Sequence, residues 1–208
     1  MTCRPVVVLG SSNRKKVSEM AQLLAPYGWE LRGLDAYPPL LAVTEDGSTF
    51  RENAEKKAQA YAQQLGEWVI GEDSGLCVDA LGGQPGIYSA RFAGEPSDDD
   101  ANNRRLIAML KEVPPERRTA RYVCVAVLAD PRGEVRAVGE GHCAGLIIDT
   151  PRGSAGFGYD PLFFIPEYHA TFAELGPMVK RVLSHRARAF EQLIPQMLRC
   201  YPPTQAAN

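Results

Sequence analysis

Residues 70–94 read IGEDSGLCVDALGGQPGIYSARFAG and place two adjacent carboxylates between an apolar run and a stretch dense in glycine. Trp68 to Ile70 predicts a short buried strand that ends near Glu72 and Asp73, at the edge where α/β sheets hold their ligands. Glycines permit backbone geometry and close ligand approach that side chains forbid. An acidic pair beside glycine is, taken alone, more often a solvated turn. A metal or phosphate site here therefore needs support from other segments.

The composition is that of one sizeable domain or of two intimate lobes that share a sheet. The 208 residues are 45% hydrophobic and 23% charged. The 23 Lys and Arg nearly balance the 25 Asp and Glu, so no overall attraction to nucleic acid or to an anionic membrane is expected. Five scattered cysteines without a CxxC pair argue against zinc or redox chemistry and indicate a reducing, cytoplasmic setting. The apolar run at residues 5–9 is too short to span a membrane.

Both strands and helices are predicted along the chain. Strands are expected at residues 6–9, 68–70, 120–129, 135–148 and 162–165, and helices after Asn13, Thr49, Asp98–Asp100 and Ser184. Three glycines are expected to break the 135–148 strand, and Pro195 to kink the last helix. The segment from Leu31 to Val43 has no clear pattern. The order predicts an α/β fold with a long mixed sheet flanked by helices, in two lobes around a central cleft.

A basic loop follows the first predicted strand. It contains Ser11, Ser12, Asn13, Arg14, Lys15 and Lys16. Lys16 stands at a helix start, where the helix dipole disfavours a cation, so a bound anion such as a polyphosphate explains it better than helix stability does. The loop fits neither GxxxxGK[ST] nor GxGxxG, which argues against a Walker-type ATPase and a Rossmann dehydrogenase. A solvated lysine is the alternative.

Three carboxylates predict a magnesium site. Glu45, Glu72 and Asp73 supply the few oxygens that this ion accepts alongside water and substrate phosphate. Asp73 has a second candidate role, because a carboxylate beside a metal can deprotonate the attacking water. An exposed turn remains the alternative for Glu45. Lys57 can reach a phosphate, although a surface lysine is equally compatible with its position.

A third group lies toward the C-terminus. Phe157, Gly158, Tyr159 and Asp160 combine an aromatic ring for stacking with a carboxylate for a base N–H, which suits a purine. A core role is the alternative for Phe157. Lys180 and the SHR triplet at residues 184–186 add donors for a purine carbonyl or a phosphate, although a lone histidine is more often structural.

The chain closely resembles the inosine triphosphate pyrophosphatase family, which has the Maf/ITPase-like fold. The matching segments are SSNRKK at 11–16, TFRENAEKKA at 49–58, EDSGLCVDALGGQPGIYSARFAG at 72–94, GFGYDPLF at 156–163 and SHR at 184–186. The resemblance implies an enzyme that hydrolyses ITP, dITP and XTP to the monophosphate and pyrophosphate with Mg²⁺. It also implies a homodimer and a single domain over residues 1–201. The sequence of the tail at 202–208 itself predicts disorder.

The resemblance also implies a role for each candidate residue. Asp73 is the implied general base and magnesium ligand, Glu45 the second carboxylate, and Ser74 a substrate contact. Residues 11–16 and Lys57 are implied to bind the triphosphate, and the nucleoside end is implied to contact Phe157–Asp160, Lys180, His185 and Arg186. The chain departs from the family in the loop, where Ser12 and Lys15 replace residues that are often glycine, and at Glu72, where aspartate is common.

Two other functions fit parts of the pattern. A pyrophosphatase for modified pyrimidine or ordinary deoxynucleotides is possible within the same fold, but the FGYD and SHR segments argue against it. A sensor that binds nucleotide without hydrolysis is disfavoured by the carboxylates. Release of pyrophosphate on addition of magnesium separates the sensor from both enzymes.

Overall fold

The computed structural model describes residues 5–203. The predicted tail lies outside them from residue 204 onward. Within residues 5–203, seven strands form one sheet in the order β2-β1-β3-β4-β5-β6-β7. They are β1 (Val6–Leu9), β2 (Glu30–Arg32), β3 (Val69–Val78), β4 (Thr119–Ala129), β5 (Val135–Ile147), β6 (Phe163–Ile165) and β7 (Ala170–Thr171). β1 runs parallel to β2 and β3, whereas β6 runs antiparallel to β5 and β7. The predicted α/β fold with a mixed sheet flanked by helices is confirmed.

In the described part of the chain, five α-helices and six short 3-10 helices accompany the sheet. The α-helices are α1 (Arg14–Leu24), α2 (Phe50–Leu65), α3 (Asp99–Met109), α4 (Phe172–Leu183) and α5 (His185–Cys200). Asn13, Thr49 and Asp98 each cap a helix by accepting backbone N–H bonds, which satisfies donors that the first turn leaves unpaired. No helix in the described part of the chain is long and apolar enough to cross a membrane.

The chain divides into two compact units. Among the described residues, the first contains 5–73, Cys124–Gly141 and 186–203, and the second contains Ser74–Val123 and His142–His185. In the first unit, side chains alternate between two layers: Val7, Leu9 and Ile70 pack with α1 and α5, whereas Val8 and Val69 pack with α2. The single domain over residues 1–201 stays a prediction.

The second unit has its own apolar core. Aromatic side chains dominate its centre. The rings of Phe163 and Phe172 stack with their centres 5.3 Å apart, and the centre of the Tyr122 ring lies 4.6 Å from that of Phe163. Leu76, Leu106 and other buried residues of β3, α3 and β5 complete this cluster. Each unit therefore has enough buried apolar surface to fix the side chains that it carries.

The structure corrects the predicted end of the central strand. β3 continues to Val78, so Glu72 and Asp73 lie inside a ten-residue strand and not at its end. Within this strand, α2 packs directly on Gly71, where a Cβ would overlap the carbonyl oxygen of Ala54. Gly71 thus allows the close approach of a helix, whereas the sequence analysis expected the close approach of a ligand.

Three further expectations were wrong or incomplete. β5 is continuous, because Gly139 serves as a contact for α5, where a Cβ would overlap the carbonyl oxygen of Ala189. α4 was not predicted, since its Gly176 and Pro177 are typical of helix breaks. Gly176 is indeed non-helical, with φ 73° and ψ 179°. β2 falls partly in the segment that showed no pattern.

Candidate functional site

The alternation of β3 directs its two carboxylates to different helices. Ile70 packs with α1 and α5, and Glu72, two residues on, contacts Lys16 of α1 and Arg186 of α5. Asp73 contacts α2 instead. Successive residues of a strand point to opposite faces, so adjacent carboxylates receive different partners. The structure therefore gives Glu72 and Asp73 separate sets of partners.

Asp73 is buried and held by two side chains of α2. Asn53 donates from Nδ2 to Asp73 Oδ2 at 3.1 Å, and Lys57 Nζ lies 3.5 Å from Oδ1. Burial raises the pKa of Asp73 above its usual value, against the opposing charge of Lys57. A carboxylate with a raised pKa and a fixed orientation is suited to accept a proton near neutral pH.

Lys57 joins Asp73 to Glu45. The Lys57 ammonium is buried and lies 2.7 Å from Glu45 Oε2. Burial alone lowers the pKa of Lys57, but Asp73, Glu45 and Glu72 together outweigh it, so the pKa is raised and the side chain stays charged. One buried cation thus contacts two carboxylates that are far apart in sequence. Glu45 lies in a loop, and Asp73 lies in β3.

Asn53 was missed by the sequence analysis. Its Oδ1 accepts the Gly47 N–H at 2.8 Å, while its Nδ2 binds Asp73. One buried amide therefore ties the loop that carries Glu45 to the strand that carries Asp73. The signal was available, because Asn53 and Lys57 are four residues apart and share a helix face.

Glu72 is fully buried between two cations. Lys16 Nζ lies 2.6 Å from Oε2, and Arg186 Nε lies 3.3 Å from Oε1. Burial alone raises the pKa of Glu72, but Lys16, Arg186 and Lys57 hold it well below the usual range. Arg186 also contacts Glu19 at 3.1 Å, another residue that the sequence did not single out. Glu72 thereby fixes both cations.

The basic loop forms the N-terminus of α1. Asn13 Oδ1 accepts the N–H groups of Lys15 and Lys16 at 3.0 and 3.2 Å, and Ser11 Oγ accepts that of Asn13. These bonds order the backbone before any ligand binds. Ser12, Arg14 and Lys15 are exposed, and Lys16 is partly buried beside Glu72.

The second unit holds the aromatic segment, and Asp160 is its centre. Asp160 Oδ2 accepts from Lys180 Nζ at 2.6 Å and from the Phe157 N–H at 2.9 Å, and Oδ1 accepts from the Tyr122 hydroxyl at 3.4 Å. The Lys180 ammonium also lies 4.6 Å from the centre of the Phe157 ring. With only 1% of its surface exposed, Asp160 orders the segment from within.

Two further residues complete this second group. His185 is buried and stacks on Tyr122 with ring centres 4.7 Å apart, a contact that the sequence did not indicate. Tyr159 donates its hydroxyl to the carbonyl of Ser89 at 2.8 Å. Ser74, the first residue of the second unit, is half-buried in β3.

The predicted metal ligands are only partly brought together. Among residues 5–203, no three His, Cys, Asp or Glu side chains converge closely enough to hold an ion. Glu45 and Asp73 share Lys57, whereas Glu72 is engaged with Lys16 and Arg186. The ligand assignments, like the substrate contacts, stay predictions.

Known proteins match this chain over nearly its full length. It is 48% identical over 195 residues to a dITP/XTP pyrophosphatase of Desulforamulus reducens, covering 94% of this chain and 96% of that one. It is 51% identical over 193 residues to a dITP/XTP pyrophosphatase of Rhodopirellula baltica, covering 93% of each chain.

A solved structure and a family model agree with these relatives. The Staphylococcus aureus Ham1 protein superposes with a TM-score of 0.80 at 38% identity, covering 93% of this chain and 97% of that one. The sequence model of the Ham1 family matches residues 7–196. The chain therefore belongs to the Ham1 family.

Proposed function

We propose that this protein is a magnesium-dependent nucleoside triphosphate pyrophosphatase that converts ITP, dITP and XTP to the monophosphate and pyrophosphate. Its Ham1 membership and its relatives named dITP/XTP pyrophosphatase support the activity and the substrates. The observation that carries the proposal is the setting of Asp73, a buried carboxylate of raised pKa beside Asn53 and Lys57.

The donor set of the first unit fits magnesium. Glu45 and Asp73 offer carboxylate oxygens, the hard ligands this ion takes, and two are enough because Mg²⁺ keeps waters and binds substrate phosphate. When bound, the ion would neutralise phosphate charge and favour ionisation of water. We assign Glu45 and Asp73 as the ligands, and place Glu72 as the anchor of Lys16 and Arg186.

Asp73 acts as the general base in this proposal. The Asn53 hydrogen bond fixes Oδ2, so we assign Oδ1 as the oxygen that accepts the proton of the attacking water. Lys57, 3.5 Å from Oδ1, keeps the carboxylate ionised and binds phosphate. Lys16 and the loop at residues 11–15 supply further positive charge and N–H donors for the triphosphate.

The nucleoside end is assigned to residues of the second unit and to Arg186. Phe157 offers a stacking face, and the Asp160–Lys180 pair holds its segment. His185 and Arg186 are proposed to donate to the purine carbonyl. A donor aimed at a 6-oxo group meets the donor of a 6-amino group in ATP, which selects against adenine. GTP retains the 6-oxo group and is expected to be rejected less strongly.

Identification of the products tests the proposal. We expect ITP to yield IMP and pyrophosphate on an anion-exchange column, with magnesium and not with EDTA. IDP and phosphate would show attack at the terminal phosphate and overturn the pyrophosphatase assignment. Undiminished turnover in EDTA would overturn the magnesium assignment alone.

The proposal also includes an assembly and a location. A homodimer is proposed from the resemblance, and a cytoplasmic location from the cysteine pattern. Light scattering coupled to size exclusion tests the first, with twice the 22.8 kDa chain mass expected.

A further inference from the structure

Gly158 is held at both of its backbone groups by one helix. Asp99 Oδ2 accepts the Gly158 N–H at 2.8 Å, and Asn103 Nδ2 donates to the Gly158 carbonyl at 3.1 Å. Asp99 and Asn103 are four residues apart on α3, so they share a face of the helix. The three residues lie within the second unit.

The segment that they hold is intrinsically adaptable. Gly156 and Gly158 both adopt left-handed backbone angles, with φ 82° and 63°, and glycine loses much conformational freedom when it is fixed. A Cβ at Gly158 would meet no atom within 4 Å, so no neighbour packs against the side of the residue where a side chain would lie. Its conformation depends on hydrogen bonds.

Among the described residues, Asn103 makes its hydrogen bond through the amide nitrogen alone. The side chain is buried, and its Oδ1 has no hydrogen-bond partner among residues 5–203. A buried acceptor without a partner destabilises a fold, whereas an apolar residue of similar size would not. The Asn103 amide instead contributes its hydrogen bond from Nδ2 to the Gly158 carbonyl oxygen.

The segment is also fixed on its other side. The Asp160 carboxylate binds the Phe157 N–H and the Lys180 ammonium. Hydrogen bonds therefore hold the backbone of both Phe157 and Gly158 before a ligand arrives. A binding segment that is ordered in advance loses less conformational entropy on binding.

We propose that Asp99 and Asn103 are positioning residues for nucleoside binding, holding Gly158 so that residues 157–160 keep the conformation that receives the purine nucleoside. This inference rests on the proposed function, which assigns that segment to the nucleoside end. It adds α3 to the machinery of substrate recognition without placing either side chain on the substrate.

Calorimetric binding of two probes tests the proposal, since IMP carries the nucleoside and pyrophosphate does not. We expect Asp99→Ala and Asn103→Leu to weaken IMP binding about tenfold and to change pyrophosphate binding less than twofold. Asp99→Asn should restore IMP binding to within twofold of wild type, because its amide oxygen still accepts the Gly158 N–H. Asp100→Ala is the matched control, since it removes an exposed acidic residue from the same helical turn.

Hydrogen exchange of residues 156–160 supplies a second readout. Exchange should quicken in Asp99→Ala and stay unchanged in Asp100→Ala. Faster exchange with unaltered IMP affinity would overturn the positioning role, and equal weakening of both probes would indicate general destabilisation and overturn it as well. A wild-type protein that releases pyrophosphate from ITP but binds no IMP would contradict the inference alone. A wild-type protein that hydrolyses no nucleotide would contradict the proposed function.

Discussion

The ammonium of Lys57 lies 3.5 Å from Oδ1 of Asp73, and both side chains are buried. The same ammonium lies 2.7 Å from Glu45 Oε2. One buried cation therefore offsets part of the repulsion between two carboxylates and holds both side chains in place. The arrangement makes distinct predictions for the base, for its neighbour and for the separate Glu72 cluster.

Asp73→Asn should reduce kcat for ITP by about 10²–10⁴-fold while the Kd of nucleotide stays nearly constant. The amide keeps the shape of the carboxylate and can still accept the Asn53 hydrogen bond, but it cannot take a proton from water. Steady-state kinetics with magnesium measure kcat, and equilibrium binding of ITP in the presence of EDTA measures the Kd without turnover. Undiminished turnover would remove Asp73 from the role of base.

Asp73→Asn should also stabilise the protein at neutral pH. A carboxyl group whose pKa is higher in the fold than in the unfolded chain is penalised when ionised, so its cost is present above the folded pKa and absent below the unfolded one. The variant should therefore melt at a higher temperature than wild type at pH 7, with the gain shrinking toward pH 4. A lower melting temperature at pH 7 would show that the ionised form is favoured.

The acid limb of the pH–rate profile should report Asp73. Activity is expected to fall as the pH drops through its pKa, which lies above the ordinary value of 3.8. Because Lys57 lowers that pKa, Lys57→Gln should move the limb to higher pH in profiles of kcat/KM normalised to their maxima. Lys56→Gln, at an exposed ion pair with Asp46, is the control and should leave the limb in place. A shift to lower pH would contradict the assignment.

Glu72→Gln should destabilise the fold by about 3–5 kcal/mol at pH 7, because it leaves the charges of Lys16 and Arg186 without their buried anion. The pKa of Glu72 is depressed in the fold, so its contribution is present above the ordinary value of 4.5 and is lost progressively below it. Urea unfolding at pH 7 measures the difference. Glu30→Gln, which removes the exposed partner of Arg32, should leave stability nearly unchanged, and equal effects would refute the anchoring role.

Gly71→Ala should destabilise the protein by about 3 kcal/mol or more, since the added Cβ would overlap the backbone of α2. Gly82→Ala provides the comparison: its Cβ would meet no atom within 4 Å, and the left-handed φ of 62° alone should cost about 1–2 kcal/mol. Urea unfolding of both variants separates steric overlap from backbone strain. A harmless Gly71→Ala would contradict the direct packing of α2 on β3.

Periodicity and capping residues predicted most elements of this fold. The helix starts at Asn13, Thr49 and Asp98 and the strands near 119–129 and 163–165 agree with the structure. Glycines caused the main errors. The sequence alone does not distinguish a glycine that forms a turn or a strand break from a glycine inside a strand on which a helix packs closely. Gly71 and Gly139 belong to the second kind.

The candidate residues were predictable by chemical type, but their partners were not. Sequence reasoning named Glu45, Lys57 and Asp73, and the structure places them in contact. Tyr122 was missed because a core tyrosine carries no motif of its own, whereas Asn53 was missed although it shares a face of α2 with Lys57. The separation of Glu72 from Asp73 follows from strand alternation, which became visible only once β3 was known to continue through both.

The most direct test measures pyrophosphate release from ITP, XTP, GTP and ATP side by side, with magnesium and with chelator, at one enzyme concentration. We predict strong, magnesium-dependent release from ITP and XTP, with GTP and above all ATP far slower. Equal release from all four would contradict the reading of the purine carbonyl by His185 and Arg186, and release from none, despite tight nucleotide binding, would contradict the pyrophosphatase account itself.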